Sequence, residues 1–303
     1  MYHYVRKYNE KLPLLNFLHI GDFEKQIDFF ARDFEFFDCN KLSILKNEKN
    51  LNKKVLLTFD DSLSCHYDYV FKLLKKKAIN GIFFIPSAPY TKKKLLNVHK
   101  IHLILAKYGG RKAYGALKKY QEKFMVDLKK IKKSDKYAYK NQINDEHTSK
   151  FKRILNHCLK YEFQDFLINK VFNHFFENQE ANIFKSFYIK RKNIEKMLDS
   201  GMVLGSHTEN HYYLSNIPHE IVKTEIESGK EFLKQFTDKK IFAYPYGGPG
   251  SYNNKIVNYV KRNYDFSFVF NPKDITKKNL VDECLLNRYD CNSFKFGNCF
   301  KIK

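Results

Sequence analysis

The sequence has few cysteines, and none of them lies in a CxxC pair. Six cysteines in 303 residues are too sparse for a secreted scaffold held together by disulfides, so we expect free thiols in a reducing compartment. The chain has no run of about 18 apolar residues, which excludes an ordinary membrane-spanning helix. It also does not open with a basic segment followed by an apolar one, so we expect no signal peptide and a cytoplasmic protein.

Acidic residues are scarce relative to basic ones. There are 33 Asp and Glu against 55 Lys and Arg, which gives a formal net charge of +22. Such an excess attracts phosphate, either on nucleic acid or at an anionic membrane surface. The lysines are nevertheless spread over nearly every segment, as an AT-rich genome would encode. We therefore expect no specific nucleic-acid partner, whereas the charge leaves open peripheral membrane contact and a lipid-carrier-linked substrate.

What the sequence does contain is an alternation of short apolar runs and helical patterns. Its hydrophobic content of 43% is enough for one large core or two modest ones. The alternation predicts an α/β fold with a mainly parallel sheet covered by helices. The predicted strands are 1–5, 55–59, 81–86, 202–206, 241–246 and 266–270, and the predicted helices are 23–30, 65–77, 192–200, 218–236 and 252–263.

The stretch 95–187 breaks this alternation, because it is rich in lysine and aromatic residues at helical spacing. We interpret it as a helical insertion within a single domain that spans 1–303. Inside it, residues 129–150 are polar with few apolar side chains, which predicts a mobile loop or a solvated helix.

Two adjacent carboxylates, Asp60 and Asp61, follow the apolar run 55–59. Ligands of α/β sheets bind at the carboxyl ends of strands. Neighbouring carboxylates repel each other, and both ionise comfortably only beside a cation. The pair therefore indicates a metal ligand next to a general base, although an isolated Asp-Asp at a strand end more often forms a turn and a helix N-cap.

Two histidines, His207 and His211, follow the apolar run 202–204. Residues at i and i+4 lie on one face of a helical turn, a spacing that lets two imidazoles bind one ion; the alternative is a pair of surface histidines. With Asp61 they form a set of two histidines and one carboxylate, which leaves positions for water and substrate as a hydrolytic site requires. Zinc suits this set, and cobalt, nickel or iron would also fit it.

The third segment is the turn Pro245-Tyr246-Gly247, which ends the apolar run from 241. Such a turn can present backbone N–H groups to a developing oxyanion, or it can be a plain tight turn. We expect Pro245 and Tyr246 to contact the substrate.

These three segments, in this order and spacing, resemble the signature blocks of the polysaccharide deacetylase (NodB homology) family, which read TFDD, H[ST]xxH and a Pro-Tyr-Gly turn. The resemblance implies a deformed (β/α) barrel with fewer closed strands than the eight-fold barrel. It also implies that Asp60 is the catalytic base and that Asp61, His207 and His211 bind one divalent metal ion, with the Tyr246 N–H as oxyanion donor. The implied activity is removal of an N-acetyl group from an amino sugar.

The chain departs from the family pattern at two places. Ala243 and Tyr244 stand where many members carry an arginine, so another residue must orient Asp60, and Arg288 is the candidate. Asn287 and Arg288 stand where many members carry the histidine that acts as general acid, which leaves the acid unassigned.

His99 and His102 open the insertion, where they can reach over the pocket and contact substrate. Histidines on a helix are, however, more often surface residues. A catalytic role for either one is therefore a hypothesis that depends on how the insertion folds.

The expected substrate is a small or carrier-linked amino sugar in the synthesis of a cell-surface glycan, because a cytoplasmic enzyme does not meet extracellular polymers. One alternative is hydrolysis of another C–N bond, in a formamide or cyclic amide, by the same kind of site. The other is a non-catalytic sugar-binding or nucleic-acid-binding protein on a degenerate scaffold. The presence of Asp61, His207 and His211 as well as Asp60 argues against degeneration, whereas the missing arginine and histidine argue mildly for it.

Overall fold

The computed structural model describes residues 1–47, 51–134, 144–280 and 285–298. Its strands, in chain order, are β1 (Val5–Arg6), β2 (Leu18–His19), β3 (Glu35–Phe36), β4 (Lys54–Val55), β5 (Thr58–Phe59), β6 (Ile82–Ile85), β7 (Val203–Ser206), β8 (Ile241–Ala243), β9 (Phe266–Phe270) and β10 (Leu285–Arg288). Six of them form one parallel sheet in the spatial order β10-β9-β8-β7-β6-β5. The remaining four form two short parallel pairs, β1 with β2 and β3 with β4.

The N-terminal segment bridges the two edges of the six-stranded sheet. On the β5 side, the N–H of Tyr2 donates to the Thr58 carbonyl at 2.9 Å, and the N–H of Asp60 donates to the Tyr2 carbonyl at 3.0 Å. On the β10 side, the nitrogen of Met1 donates to the Tyr289 carbonyl at 2.7 Å. The sheet is therefore curled, and the predicted deformed (β/α) barrel is confirmed.

Helices cover this barrel and form most of the insertion. They are α1 (Ile20–Asp33), α2 (Lys72–Lys76), α3 (Ala88–Thr91), α4 (Asn97–Tyr120), α5 (Leu128–Ser134), α6 (Glu146–Arg153), α7 (Tyr161–Phe176), α8 (Glu180–Phe187), α9 (Arg191–Asp199), α10 (His219–Leu233) and α11 (Asn254–Asn263). Sequence chemistry sets several of their limits. Asn253, for example, caps α11 by accepting the Ile256 N–H at 3.1 Å, and Gly109 interrupts α4 with a φ of 73°.

The predicted elements are present, with four corrections to their limits. Of the predicted strand 1–5, only Val5 lies in a strand, β1, while Tyr2 forms an isolated parallel bridge to Phe59. The run 55–59 is divided, because Val55 pairs with β3 whereas Thr58 and Phe59 pair with β6. The strand predicted at 241–246 ends at Ala243, where the chain turns towards the site. The helix predicted at 65–77 begins with a π-helical turn, His66–Phe71, before α2.

The insertion has a hydrophobic core of its own, in which α4 packs against α6 and α7. Fully buried side chains such as Ile104, Phe151 and Phe172 fill it, so the helical character predicted for 95–187 is confirmed. The prediction for 129–150 falls partly on residues 135–143, which lie outside the described residues. On either side of them the chain forms α5 and α6. The single-domain organisation stays a prediction.

The cysteines and the helix lengths bear on two expectations from the sequence, free thiols and no membrane-spanning helix. Cys39, Cys65, Cys158 and Cys291 are buried and form no disulfide among these parts of the chain, while Cys284 and Cys299 lie outside them. Across the described ranges, no helix combines the length and the apolarity that crossing a membrane would need.

Candidate metal centre and catalytic base

A sharp turn after β5 sends the two adjacent carboxylates in different directions. Asp61 and Ser62 have φ values of 80° and 55°, in the left-handed region that side chains other than glycine rarely adopt. Asp60 and Asp61 are each only 2% exposed. The segment is a turn, as one alternative predicted, but the π-helical turn that follows has no side-chain cap at Cys65. The carboxylates therefore have partners other than a helix N-terminus.

Asp61 lies against the two histidines that the sequence pattern singled out. One ligand atom each of Asp61, His207 and His211 lies within 4.8 Å of the other two. The Nε2 atoms of His207 and His211 are 3.6 Å and 3.3 Å from Asp61 Oδ1. All three side chains are buried, so the predicted ligands converge on one point at the carboxyl ends of β5 and β7.

The ring of His207 is oriented by the neighbouring strand. Its Nδ1 lies 2.7 Å from the carbonyl of Ala243 at the end of β8. An N–H donated to that carbonyl leaves the Nε2 lone pair directed at Asp61, the tautomer that metal-binding histidines use. Burial lowers the pKa of His207 and lowers that of His211 to about 3, which makes both rings neutral ligands.

The donor set fits a divalent cation. His207 Nε2 and Asp61 Oδ1 are both buried without a hydrogen-bond partner, a costly state for polar atoms unless something binds them. Two neutral imidazoles and one carboxylate are the donors that zinc and similar ions prefer.

The histidine loop is not helical, so the predicted helical turn is wrong. Thr208 and His211 have φ values of 64° and 60°, and the His211 N–H donates to Thr208 Oγ1 at 3.1 Å. The two rings still approach within 4.8 Å between centroids. Their convergence comes from a strained loop, and the i, i+4 spacing predicted the right pair for the wrong reason.

Glu225 on α10 holds this loop from behind and was not predicted. It is 2% exposed, and its Oε2 accepts the N–H groups of Glu209 and Asn210 at 3.1 Å and 2.7 Å. Burial raises the pKa of Glu225. An acidic residue between the apolar positions Val222 and Ile226 on one helix face is the sequence signal that could have found it.

Asp60 is paired with Arg288, which reaches it from the end of β10. The Nη1 of Arg288 donates to Asp60 Oδ1 at 2.7 Å and lies 3.4 Å from Thr58 Oγ1. Burial alone would raise the pKa of Asp60, but the charge and the hydrogen bond of Arg288 lower it to about 2. The arginine expected to orient Asp60 therefore lies where the sequence argument placed it.

His3 is a second neighbour of Asp60 that sequence reasoning missed. Its Nε2 is 3.9 Å from Asp60 Oδ2, and its side chain is 37% exposed. The Nε2 of His66 lies 2.6 Å from the carbonyl of His3 and fixes the backbone there. The signal was its place in the predicted strand 1–5, because parallel strands bring their ends to the same edge of the sheet.

The insertion histidines have different positions. His99 is fully buried, with Nε2 3.4 Å from Asp61 Oδ2, whereas His102 Nδ1 lies 3.2 Å from the hydroxyl of Tyr4. Only His99 therefore contacts the predicted ligands. The expected substrate-binding role of these two residues stays a prediction.

The Pro-Tyr-Gly turn forms one wall of the site. Tyr246 has a φ of 62°, and its ring centroid is 5.1 Å from that of His211. Its hydroxyl donates to Asn156 Oδ1 of the insertion at 3.1 Å. Pro245 is buried behind it. The turn therefore lies beside the metal ligands, while the oxyanion role of the Tyr246 N–H and the substrate contacts stay predictions.

Known proteins share this architecture. The family model described as polysaccharide deacetylase matches residues 47–267, more than two thirds of the chain. No curated protein sequence matches.

Three solved structures have the same fold and a low sequence identity to this chain. The deacetylase PplD of Streptococcus pyogenes, in complex with acetate, is 16% identical with a TM-score of 0.56, over 95% of this chain and 88% of that one. IcaB from Ammonifex degensii is 17% identical with a TM-score of 0.52, over 95% and 88%. A polysaccharide deacetylase of Bacillus cereus, BC0361, is 16% identical with a TM-score of 0.54, over 95% of this chain but 62% of that one. At these identities the likeness establishes the fold.

Proposed function

The chain belongs to the polysaccharide deacetylase family and is a carbohydrate N-deacetylase, and we propose that it removes the N-acetyl group of an amino sugar with one divalent metal ion bound by Asp61, His207 and His211. The observation that carries the proposal is the buried cluster of these three ligands next to an ionised Asp60. A divalent ion bound there supplies Lewis-acid activation of water and of the acetamide carbonyl.

The side chains around that point divide the proton transfers between them. Asp60, held by Arg288 through Oδ1, has Oδ2 left to accept the proton of the attacking water. His3 faces the same oxygen at 3.9 Å and is partly open to solvent. We assign to His3 the protonation of the departing amine, the role that the sequence left without a residue. The N–H of Tyr246 stabilises the oxyanion in this scheme.

We further propose a precursor as the substrate, namely an amino sugar linked to a lipid diphosphate or to a nucleotide in the cytoplasm. The charge of the insertion supports an anionic substrate, because residues 95–187 contain 19 basic and 9 acidic residues, a net +10. The same charge would hold the enzyme at an anionic membrane surface by peripheral contact.

The test is release of acetate and of a free amine from N-acetylated sugars offered in three forms: free, linked to a nucleoside diphosphate, and linked to a polyprenyl diphosphate. Wild type should act best on a diphosphate-linked form. Asp60→Asn should lower kcat by about 10²–10⁴-fold, the usual contribution of a general base. Asp28→Asn, an exposed carboxylate paired with Lys77, is the matched control and should keep wild-type rates.

A second arm tests the acid. His3→Gln should lose turnover of acetamides but keep much of its turnover of an activated aryl acetate, whose leaving group needs no proton. Equal losses on both substrates would refute the assignment to His3. Wild-type kcat in Asp60→Asn would refute the proposed reaction itself, and preference for the free sugar would refute the precursor proposal.

A further inference from the structure

Both ends of the helical insertion return to the turn that carries Asp61. At its start, His99 on α4 is fully buried, and its Nε2 is 3.4 Å from Asp61 Oδ2. Just beyond its end, Tyr188 precedes Ile189, whose N–H donates to the Ser62 carbonyl at 2.9 Å. The insertion therefore contacts one short turn from two directions, although its two contact points are about 90 residues apart in the sequence.

That turn needs support from outside itself. Asp61 and Ser62 are consecutive residues in the left-handed region, and each such residue costs about 1–3 kcal/mol unless its surroundings hold it. Ser62 Oγ lies 2.5 Å from the hydroxyl of Tyr90, which donates to the Ile189 carbonyl at 2.9 Å. The backbone after Ser62 is thus fixed by the end of the insertion. The side chain of Asp61 is left to be fixed by other groups.

A chain of hydrogen bonds orients His99 towards that side chain. The Tyr188 hydroxyl accepts the Leu96 N–H at 3.0 Å and lies 2.7 Å from His99 Nδ1. Burial raises the pKa of Tyr188 well above its usual value, so the hydroxyl stays protonated and can donate a hydrogen bond to His99 Nδ1. A ring that accepts at Nδ1 carries its own proton on Nε2, the nitrogen that faces Asp61 Oδ2.

The two oxygens of Asp61 consequently have different neighbours. Oδ2 faces His99, whereas Oδ1 faces the Nε2 atoms of His207 and His211 at 3.6 Å and 3.3 Å. A carboxylate held through one oxygen presents the other in a fixed direction, as partners of metal ligands commonly ensure.

We propose that the insertion completes the metal centre: His99, oriented by Tyr188, is a positioning residue that holds Asp61 Oδ2 and directs Oδ1 to the metal. This inference rests on the metal site of the proposed function. It gives His99 a role other than substrate binding, and it explains why both ends of the insertion close on the turn after β5.

The test is the affinity of the metal-free protein for Zn²⁺, measured by competition with a chromophoric chelator. His99→Leu should weaken binding about 10–100-fold, the usual effect of losing a partner of a metal ligand. Tyr188→Phe keeps the packing of the ring and should weaken binding in the same direction. His99→Gln retains an amide donor and should recover part of the loss.

The chain offers a control in His174, an exposed residue of the same insertion whose Nδ1 lies 3.1 Å from the Tyr120 hydroxyl. His174→Leu removes a similar histidine–tyrosine contact that does not reach Asp61, and Zn²⁺ affinity should stay at the wild-type value. Thermal unfolding of each metal-free variant checks that the fold survives. Wild-type affinity in both His99→Leu and Tyr188→Phe would overturn the inference.

The Co²⁺-loaded proteins test whether His99 is itself a ligand. A positioning residue leaves the visible absorption bands of Co²⁺ at the same wavelengths in His99→Gln, because the ligand atoms are unchanged. Shifted bands with lost intensity would place His99 in the coordination sphere and overturn the positioning role. If wild type binds no Zn²⁺ or Co²⁺ at all, the proposed function fails first, and the inference fails with it.

Discussion

The pair formed by Arg288 and Asp60 allows a prediction whose size follows from the geometry. The two charges lie 2.7 Å apart, and their side chains are only 5% and 3% exposed. At an effective dielectric constant of about 20, that distance corresponds to an attraction of about 6 kcal/mol, which offsets the cost of burying both charges. Replacing Arg288 by Met keeps the volume but leaves Asp60 as a buried, unpaired carboxylate.

We expect Arg288→Met to lower the free energy of unfolding by about 3–5 kcal/mol, because breaking a buried pair strands the other charge. Denaturant titration of the metal-free protein measures this loss. kcat should fall as well, since an unanchored Asp60 no longer points at the water, and misplacement by about 1 Å costs about 10²-fold. Zn²⁺ affinity should change less than kcat, because within the described residues Arg288 forms no hydrogen bond or ion pair with Asp61, His207 or His211.

A double-mutant cycle with Asp60→Asn tests the reasoning behind these numbers. If the pair is coupled, the double variant should be more stable than the sum of the two single losses predicts, by about 2–3 kcal/mol. Strict additivity, or a loss below about 1 kcal/mol in Arg288→Met, would show that Asp60 does not depend on Arg288 for its charged state.

Three further predictions concern the support of the site. Glu225→Ala leaves two buried N–H groups, one of them on Asn210, without their acceptor, and should lower the free energy of unfolding by about 2–5 kcal/mol. Denaturant titration measures this loss, with Glu225→Gln as the milder control. Wild-type stability in both variants would contradict the prediction. Burial lowers the pKa of His66 to about 4, below its unfolded value near 6.5, so the unfolded chain binds the extra proton and stability falls as pH drops from about 6.5 to about 4. The loss should reach roughly 3 kcal/mol and should be absent from the pH dependence of His66→Gln, so identical pH curves would refute it. A Cβ at Gly205 would lie 2.4 Å from Phe84 Cε1; Gly205→Ala should therefore cost about 1–3 kcal/mol, and the failure of an added Phe84→Leu to restore stability would contradict overpacking as the cause.

Sequence reasoning located the centre of the site because local rules suffice there. Apolar runs predicted where strands end, and parallel strands bring those ends together, so Asp61 and His207 could be expected to meet although they are far apart in the chain. The same rule applied to the predicted strand 1–5 would have added His3 to the predicted site residues. Arg288 could be predicted because the family's usual arginine is missing and another cation had to pair with Asp60.

Other parts of the site depend on tertiary contacts that no local pattern encodes. The left-handed backbone at Asp61 and Thr208 is stable only because groups from other elements hold it, so no propensity predicts it. Glu225 could be noticed as an acid on an apolar helix face, but its partners could not. The contact of His99 with Asp61 requires the packing of the whole insertion. The helical spacing of its residues predicts the helices but not where they pack in the fold.

The central claim is that Asp61, His207 and His211 bind a metal ion and that Asp60 uses the site for hydrolysis without binding the metal. Elemental analysis of purified wild type, His207→Ala and Asp60→Asn, with acetate release measured on the same samples, tests it most directly. The account predicts about one divalent ion and turnover in wild type, loss of both in His207→Ala, and retained metal with stalled turnover in Asp60→Asn. A wild type that holds no metal even after reloading, or that hydrolyses acetamides without one, would contradict it.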